Sequence, residues 1–431
     1  MYRCCVRLNS CESSYIIRPL YLAALLVLAV VGCHGHLARA QQADLPITGR
    51  AVPELASFDR VICRFMQDRS IPGGAVAVAK DGRLLLSRGY GWADVERRRP
   101  VKPNSLFRIA SVSKPITALA LLVLVEQGRL DLDAKAVDLL GPIRPTEGAS
   151  IDRAFRQITV RQLLHHTAGF DRQASFDPMF PGPAMTAVLE SPVDSRSIIR
   201  YMSGRPLDFP PGTRYAYSNF GYCLLGRILE RLVGEPYDRA VERLVLRPAG
   251  IRRMRLAKTR LEDRAPGEVR YYMPDTRCDR SVFPDVKQPV PIPYGSFHIE
   301  AMDSHGGWIA SAADLVRLAA SVDGTRKPGL LRPRTVRLLE SRPADIADDA
   351  AAYYGLGWNV RPVGDSANWW HAGSLPGTSS LLVRTHHGLA WAVVLNSRGK
   401  EGTQLIGEVD RAMWRAVEQV ETWPHASKKE M

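Results

Sequence analysis

The sequence predicts an α+β fold of the α/β/α sandwich type: one antiparallel sheet built from both ends of the chain and flanked by helices, with a mainly helical lobe inserted between those ends. Three observations carry the prediction. Near the start, the apolar runs Ala75 to Ala79 and Leu84 to Tyr90 flank Asp81-Gly82, a pair suited to the tight hairpin turn that needs positive φ. Near the end, Ser379 to Arg384 and Ala390 to Leu395 form a second such pair across His386-His387-Gly388. Between them, helix-like runs are separated by Pro/Gly-rich connections such as Phe180-Pro181-Gly182-Pro183 and Phe209-Pro210-Pro211-Gly212, which read as helices joined by long loops.

Taken in order, the chain opens with a targeting segment. Arg3, Arg7 and Arg18 precede an apolar run from Leu20 to Val31, too short for a comfortable membrane span but suited to a signal-peptide core. Two processing patterns compete: Ala38-Arg39-Ala40 before Gln41, and Val30-Val31-Gly32-Cys33, which would leave a lipid anchor on Cys33. Either one implies export. The expected division is a signal peptide over 1–40 and a leader linker over 41–54, then one domain over 55–424 and a polar tail over 425–431. Within the domain, the sheet lobe takes 55–128 and 300–424, and the helical lobe 129–299.

Leu55 to Asp68 has helical periodicity, with Leu55, Phe58, Ile62, Phe65 and Met66 on one side. Pro72-Gly73-Gly74 ends it and the first hairpin follows. The next helix is bounded by Pro115, tolerated only in a first turn, and by Gly128, a residue that takes the left-handed cap cheaply. It starts at Ser111 to Ser113. In the insert, Leu163 to His166, Ser197 to Met202 and Tyr222 to Val233 read as helices. Beyond it, Ser311 starts a helix over Ala312 to Val322, Gly355-Leu356-Gly357-Trp358 begins a strand, and Gln404 to Val420 is an amphipathic closing helix.

Composition narrows the function. The 431 residues are 45% hydrophobic and 24% charged, ordinary globular values, with a net charge of +14. Such a balance favours anionic surfaces, including cell-wall polymers. The cations are scattered, though, and Arg97-Arg98-Arg99, the tight run, has no interleaved aromatic platform, so no nucleic-acid partner is expected. Of seven cysteines, Cys4, Cys5, Cys11 and Cys33 lie in the targeting segment, and Cys63, Cys223 and Cys278 are far apart. They make neither a disulfide framework nor a metal-ligand set. His165-His166 also lacks a carboxylate partner at suitable spacing and reads as structural. No phosphate-cradling loop or dinucleotide fingerprint occurs, so neither metal nor cofactor is expected.

The chemistry concentrates at three places. Ser111 and Lys114 are three apart at a helix start, so a serine faces an amine near the positive end of a helix dipole. Tyr217 and Asn219, two apart, point the same way in an extended segment, just before a helix starting near Phe220. His371-Ala372-Gly373-Ser374 falls ahead of the second hairpin, after Trp369-Trp370, which read as core and cleft wall. Serine needs a neighbouring base to become a nucleophile, and Lys114 can serve or can keep Tyr217 ionised by its charge.

Ser111-x-x-Lys114, Tyr217-x-Asn219 and His371-x-Gly373, in this order and with these separations, resemble the three motifs of the serine β-lactamase and penicillin-binding superfamily. Flanks agree: Phe107-Arg108-Ile109-Ala110, Leu163 to Gly169, Gly306-Gly307-Trp308-Ile309-Ala310-Ser311 and Tyr354-Gly355-Leu356-Gly357-Trp358. The likeness runs from about residue 55 to 420 and is nearest the branch of class C β-lactamases, D-alanyl-D-alanine carboxypeptidases and esterases. It implies a β-lactamase/transpeptidase-like fold and a monomer that forms an acyl-enzyme on Ser111. It also implies that Tyr217, with Lys114 and His371 as cationic neighbours, acts as general base and acid. Backbone amides of Ser111 and Ser374 would then bind the oxyanion, and Asn219 a substrate carbonyl or the lysine. Which of Lys114 and Tyr217 takes the first proton stays open. Two departures bear on substrate. His371 stands where β-lactamases of this branch carry lysine, and Ala372 where a hydroxyl residue often helps bind the substrate carboxylate. The expected substrate is therefore a small ester or a peptide-like amide, ahead of D-alanyl-D-alanine peptides and β-lactams. A non-catalytic binder of cell-wall peptide is the rival reading.

Overall fold

The computed structural model describes residues 45–325, 328–347 and 349–424. The expected signal peptide, the anchor at Cys33 and the polar tail lie outside the described residues. The central sheet contains β1 (Ile47–Thr48), β2 (Gly73–Lys80), β3 (Arg83–Asp94), β4 (Tyr353–Tyr354), β5 (Asn359–Val363), β6 (Ser366–Leu375), β7 (Thr378–Arg384) and β8 (Leu389–Leu395). Their spatial order is β1-β3-β2-β8-β7-β6-β5-β4, with every neighbouring pair antiparallel. The two ends of the chain meet at the centre, where β2 pairs with β8 in the register Val76↔Val393 and Ala77↔Ala392. The first hairpin turns at Asp81 (φ 49°) and Gly82 (φ 75°), both in the left-handed region such a turn requires. Within the stretch read as a leader, Ile47 and Thr48 add an edge strand opposite Tyr90 and Gly89.

Side-chain alternation along the strands assigns the two faces. Val76, Val78, Leu86 and Trp391 pack with α1 (Ala56–Asp68) and the closing helix, Leu405–Glu418. Those two helices come from opposite ends of the chain and are joined by Ser57 Oγ donating to Ala416 O at 2.8 Å. Ala75, Ala77 and Ala79 on the other face belong to the larger core, with α2 (Ser113–Glu126), α3 (Asn219–Val233) and α4 (Ala312–Val322). Small residues there let helices approach the sheet closely. α2 is the axis of this core: every residue from Ser113 to Leu122 is buried, as expected of a helix apolar all round. Gly128 follows it at φ 68°.

One element differs from expectation, and the third motif gains a definite place. Gly355 to Trp358 do not begin a strand; the chain bends there between β4 and β5. Gly357 has φ 87°, and a Cβ on it would collide with the Ala118 methyl of α2, so this glycine permits a close crossing instead of an extended backbone. The third motif, placed ahead of the hairpin, lies inside the long strand β6. Among the described residues no helix is long and apolar enough to cross a membrane.

Candidate active site

Ser111 sits on a single 3-10 turn, Ala110–Val112, that runs directly into α2. Ala110 holds φ 46°, a left-handed conformation that costs an L-residue about 1–2 kcal/mol and is least penalised in a small one. Neighbouring strands hold the turn in place. Ser380 Oγ donates to Ile109 O at 2.6 Å and Thr378 Oγ1 to Arg108 O at 2.7 Å. β6 presses on the same turn: a Cβ on Gly373 would run into Ile109 O and Ser380 Oγ and lie 3.1 Å from Ser111 N. The glycine of the third motif thus sets the distance between β6 and the serine.

Lys114 is 0% exposed. Its Nζ lies 3.1 Å from Ser111 Oγ, 2.7 Å from Asn219 Oδ1 and 3.1 Å from His305 O. Asn219 is oriented by its own Nδ2, which donates to Asp177 Oδ2 at 2.6 Å. Burial holds the Lys114 amine well below the ordinary lysine range; the Asp177 charge opposes this and the Arg172 charge adds to it. A neutral amine has two N–H groups and one lone pair. Asn219 Oδ1 and His305 O can only accept, so they take both N–H groups. In that neutral form the lone pair is left facing the Ser111 hydroxyl.

Burial raises the Tyr217 pKa above the ordinary value despite the neighbouring Ser111 hydroxyl and Arg172 cation. Lys114 Nζ lies 4.7 Å from the Tyr217 ring centroid and Arg172 Cζ 4.8 Å from it. Of the two alternatives left open by the sequence, the raised pKa favours a neutral phenol over a tyrosinate. His371 finds its hydrogen-bond partners elsewhere. It is buried with Nδ1 2.8 Å from Ala372 O and Nε2 2.9 Å from Tyr354 Oη. Because a carbonyl only accepts, Nδ1 carries the hydrogen and Tyr354 donates to Nε2. Burial, the largest cause, pulls His371 down to about 3, so it is neutral and supplies no fixed cation.

The paired histidines support the site from behind. His166, at φ 62°, ends the helix Val160–His165 and lies against Tyr217 at 4.4 Å and Tyr354 at 4.5 Å between ring centroids. Its Nδ1 accepts the Ser218 N–H at 3.2 Å, and His165 Nδ1 lies 3.1 Å from Tyr354 O. Among the described residues no group of three or more His, Cys, Asp and Glu could hold a metal ion.

A cleft opens above Ser111 in two arms that share Ser111, Arg172, Ser374 and Thr403. The larger, about 450 Å³, is walled by Tyr215, Tyr354, Trp370, His371 and Ile406, with Asp410 at its edge. The smaller, about 190 Å³, reaches Asn219, Met302, Leu375 and Arg398. Ser374 Oγ has no hydrogen-bond partner in either. Trp370 forms cleft wall, while Trp369 is core against Trp358. The structure therefore brings Ser111, Lys114, Tyr217, Asn219, His371, Gly373 and Ser374 to one place. Sequence reasoning missed Arg172, Asp177, His305, Tyr354 and Arg398. Arg172, His305 and Tyr354 adjoin or fall within flanking segments singled out above, but nothing in the sequence aims their side chains at Ser111.

With this geometry in hand, comparison with known proteins is direct. Residues 58–411 match the Beta-lactamase family model. Esterase EstB of Burkholderia gladioli is 31% identical over 326 residues, 70% of this chain and 77% of that protein. Penicillin-binding protein 4* of Bacillus subtilis (strain 168) is 28% identical over 322 residues, 72% of this chain and 65% of its own length. Among solved structures, EstCE1, described as a hydrolase with promiscuous acyltransferase activity, superposes with a TM-score of 0.64 at 22% identity. That match covers 86% of this chain and 99% of EstCE1, and it bears on the fold alone.

Proposed function

The chain belongs to the beta-lactamase family and is a serine hydrolase, and from that premise we propose that it is an exported esterase or amidase acting through an acyl-enzyme on Ser111. The observation that carries the proposal is the Lys114 amine, desolvated and with its lone pair left for the Ser111 hydroxyl. Lys114 takes the proton as Ser111 Oγ bonds to the substrate carbonyl carbon. The resulting oxyanion is bound by the backbone N–H groups of Ser111 and Ser374. The Tyr217 phenol gives its proton to the departing oxygen or nitrogen as the carbonyl–leaving-group bond breaks, and the proton held by Lys114 then passes to the tyrosinate, which leaves both residues as they began. Water then repeats the sequence and releases the acid. Asn219 keeps Lys114 in place and, with Ser374, borders the substrate. His371 is neutral and Ala372 has no hydroxyl, which supports a small ester or peptide-like amide over a β-lactam. The similarity to an esterase supports it too.

A fluorescent fluorophosphonate is expected to label the protein covalently, and Ser111→Ala to abolish that labelling while short-chain nitrophenyl esters cease to turn over. Undiminished labelling of the alanine variant would remove Ser111 from the mechanism. A folded protein that labels nowhere and hydrolyses none of these esters would favour the cell-wall-peptide binder instead. Export rests on the Leu20 to Val31 run with its two processing patterns. Mass spectrometry of the mature N-terminus, expected at Gln41 or at lipidated Cys33, tests it; an intact Met1 in the native host refutes it.

A further inference from the structure

The two arms of the cleft differ in charge. The larger is mostly aromatic and aliphatic, and there the shared Arg172 is matched by one carboxylate, Asp410. The smaller has two guanidinium groups, Arg172 and Arg398, and no carboxylate among its lining residues. Arg398 lies in the turn after β8 and is partly buried. Among the described residues its side chain has no hydrogen bond and no ion pair, and the charge acting on it is another cation, Arg277. Glu401, the acid nearest in sequence, turns its Oε2 onto Gly399 and buries it without a partner. Arg172 stacks on Tyr217, and its pairing with Asp177 is long at 3.9 Å, with the arginine side chain 44% exposed. Its donors are not used up by the protein.

A partly desolvated guanidinium without a counterion is unfavourable and is relieved by an incoming anion. The third motif provides no such charge, since His371 is neutral. We propose that the smaller arm is a subsite for a carboxylate on the substrate, with Arg398 as its principal donor and Arg172 as the second. Resting on the serine-hydrolase reading, this narrows the substrate to an ester or amide with an apolar group on one side of the carbonyl and a carboxylate-bearing group on the other. The carbonyl lies over Ser111, where the arms meet.

The test compares 3-acetoxybenzoate with its methyl ester, which differ at the carboxylate and share the acyl group. The wild-type protein is expected to favour the acid in kcat/KM. Arg398→Gln is expected to lower the acid-to-ester ratio by about tenfold to a hundredfold, the range of a charge-assisted hydrogen bond. Arg398→Lys is expected to recover part of it, keeping the charge without the planar fork. An equal ratio in wild type and Arg398→Gln overturns the subsite. If the wild type hydrolyses neither compound, the hydrolase reading fails separately, and calorimetry on Ser111→Ala decides the subsite. Benzoate binding more tightly than benzamide, with the difference lost on adding Arg398→Gln, supports it; equal binding of the two overturns it.

Discussion

Replacing Asp177 with asparagine removes a negative charge while keeping an acceptor for Asn219 Nδ2. The bonds Lys114 Nζ to Asn219 Oδ1 (2.7 Å) and Asn219 Nδ2 to Asp177 Oδ2 (2.6 Å) bridge the two charges through one amide. They place the amine and the carboxylate about 6–7 Å apart, where an effective dielectric of about 20 gives roughly 2.5 kcal/mol, or just under 2 pH units. The sign follows from the charges: Asp177 favours ammonium at Lys114, so its loss lowers the lysine pKa further. Arg172, released from Asp177, pushes in the same direction. The acid limb of kcat/KM reports the essential base of the free enzyme. In Asp177→Asn that limb is expected to move down by about 1–2 pH units, with the plateau above it changed only a few-fold. Initial rates on nitrophenyl acetate across a pH series measure this, with circular dichroism to verify the fold. A limb that stays in place, or rises, would show that Lys114 is not the base whose titration limits the reaction.

Gly373→Ala is expected to lower kcat/KM about a hundredfold with the fold intact, because the new methyl pushes β6 away from Ile109 O and the serine turn; equal activity on nitrophenyl acetate would contradict that contact. At Ala110, glycine is expected to change stability by less than about 1 kcal/mol. Valine there is expected to cost about 2–4 kcal/mol, since a branched residue must take φ 46° in a fully packed place; urea unfolding compares the three. Stability is also expected to fall with acidification. Burial lowers the pKa of His165 to about 4 and of His371 to about 3, and holds His166 and His305 well below 6.5. The unfolded chain therefore binds protons first. The contribution is complete above about pH 6.5 and is lost as pH falls toward 4, at up to about 1.4 kcal/mol per unit for each histidine. Urea midpoints at about pH 7.5 and about pH 5 test this; no difference between them would mean that these rings are not kept neutral.

Local rules determined a definite part of this protein. Asp81-Gly82 demands positive φ twice, so the first hairpin was legible from two residues. Pro115 and Gly128 bracket α2, and three-residue spacing puts Lys114 beside Ser111 whatever the rest of the chain does. The period-two alternation of β2 and the apolar stripe of the closing helix likewise need no distant partner to be read. The motif order Ser111, Tyr217, His371 carried the family, and the hairpins at both ends carried a sheet built from both, but that β2 pairs with β8 was decided by the fold.

Tertiary structure alone decided the charge states. Burial of α2 on all sides holds the Lys114 amine well below the ordinary lysine range, and Asn219 and His305 arrive from other segments to accept its hydrogens. His371 supplies no cation to Tyr217 because β6 buries it against Tyr354. Asp177, Arg172 and Arg398 come from loops, which have no periodicity to say where a side chain points. Gly357 looked like part of a strand because composition does not reveal that α2 passes against it. Spacing along a chain sets which residues share one helix or strand face; desolvation and hydrogen-bond partners depend on what packs across that face, and those neighbours are far away in sequence.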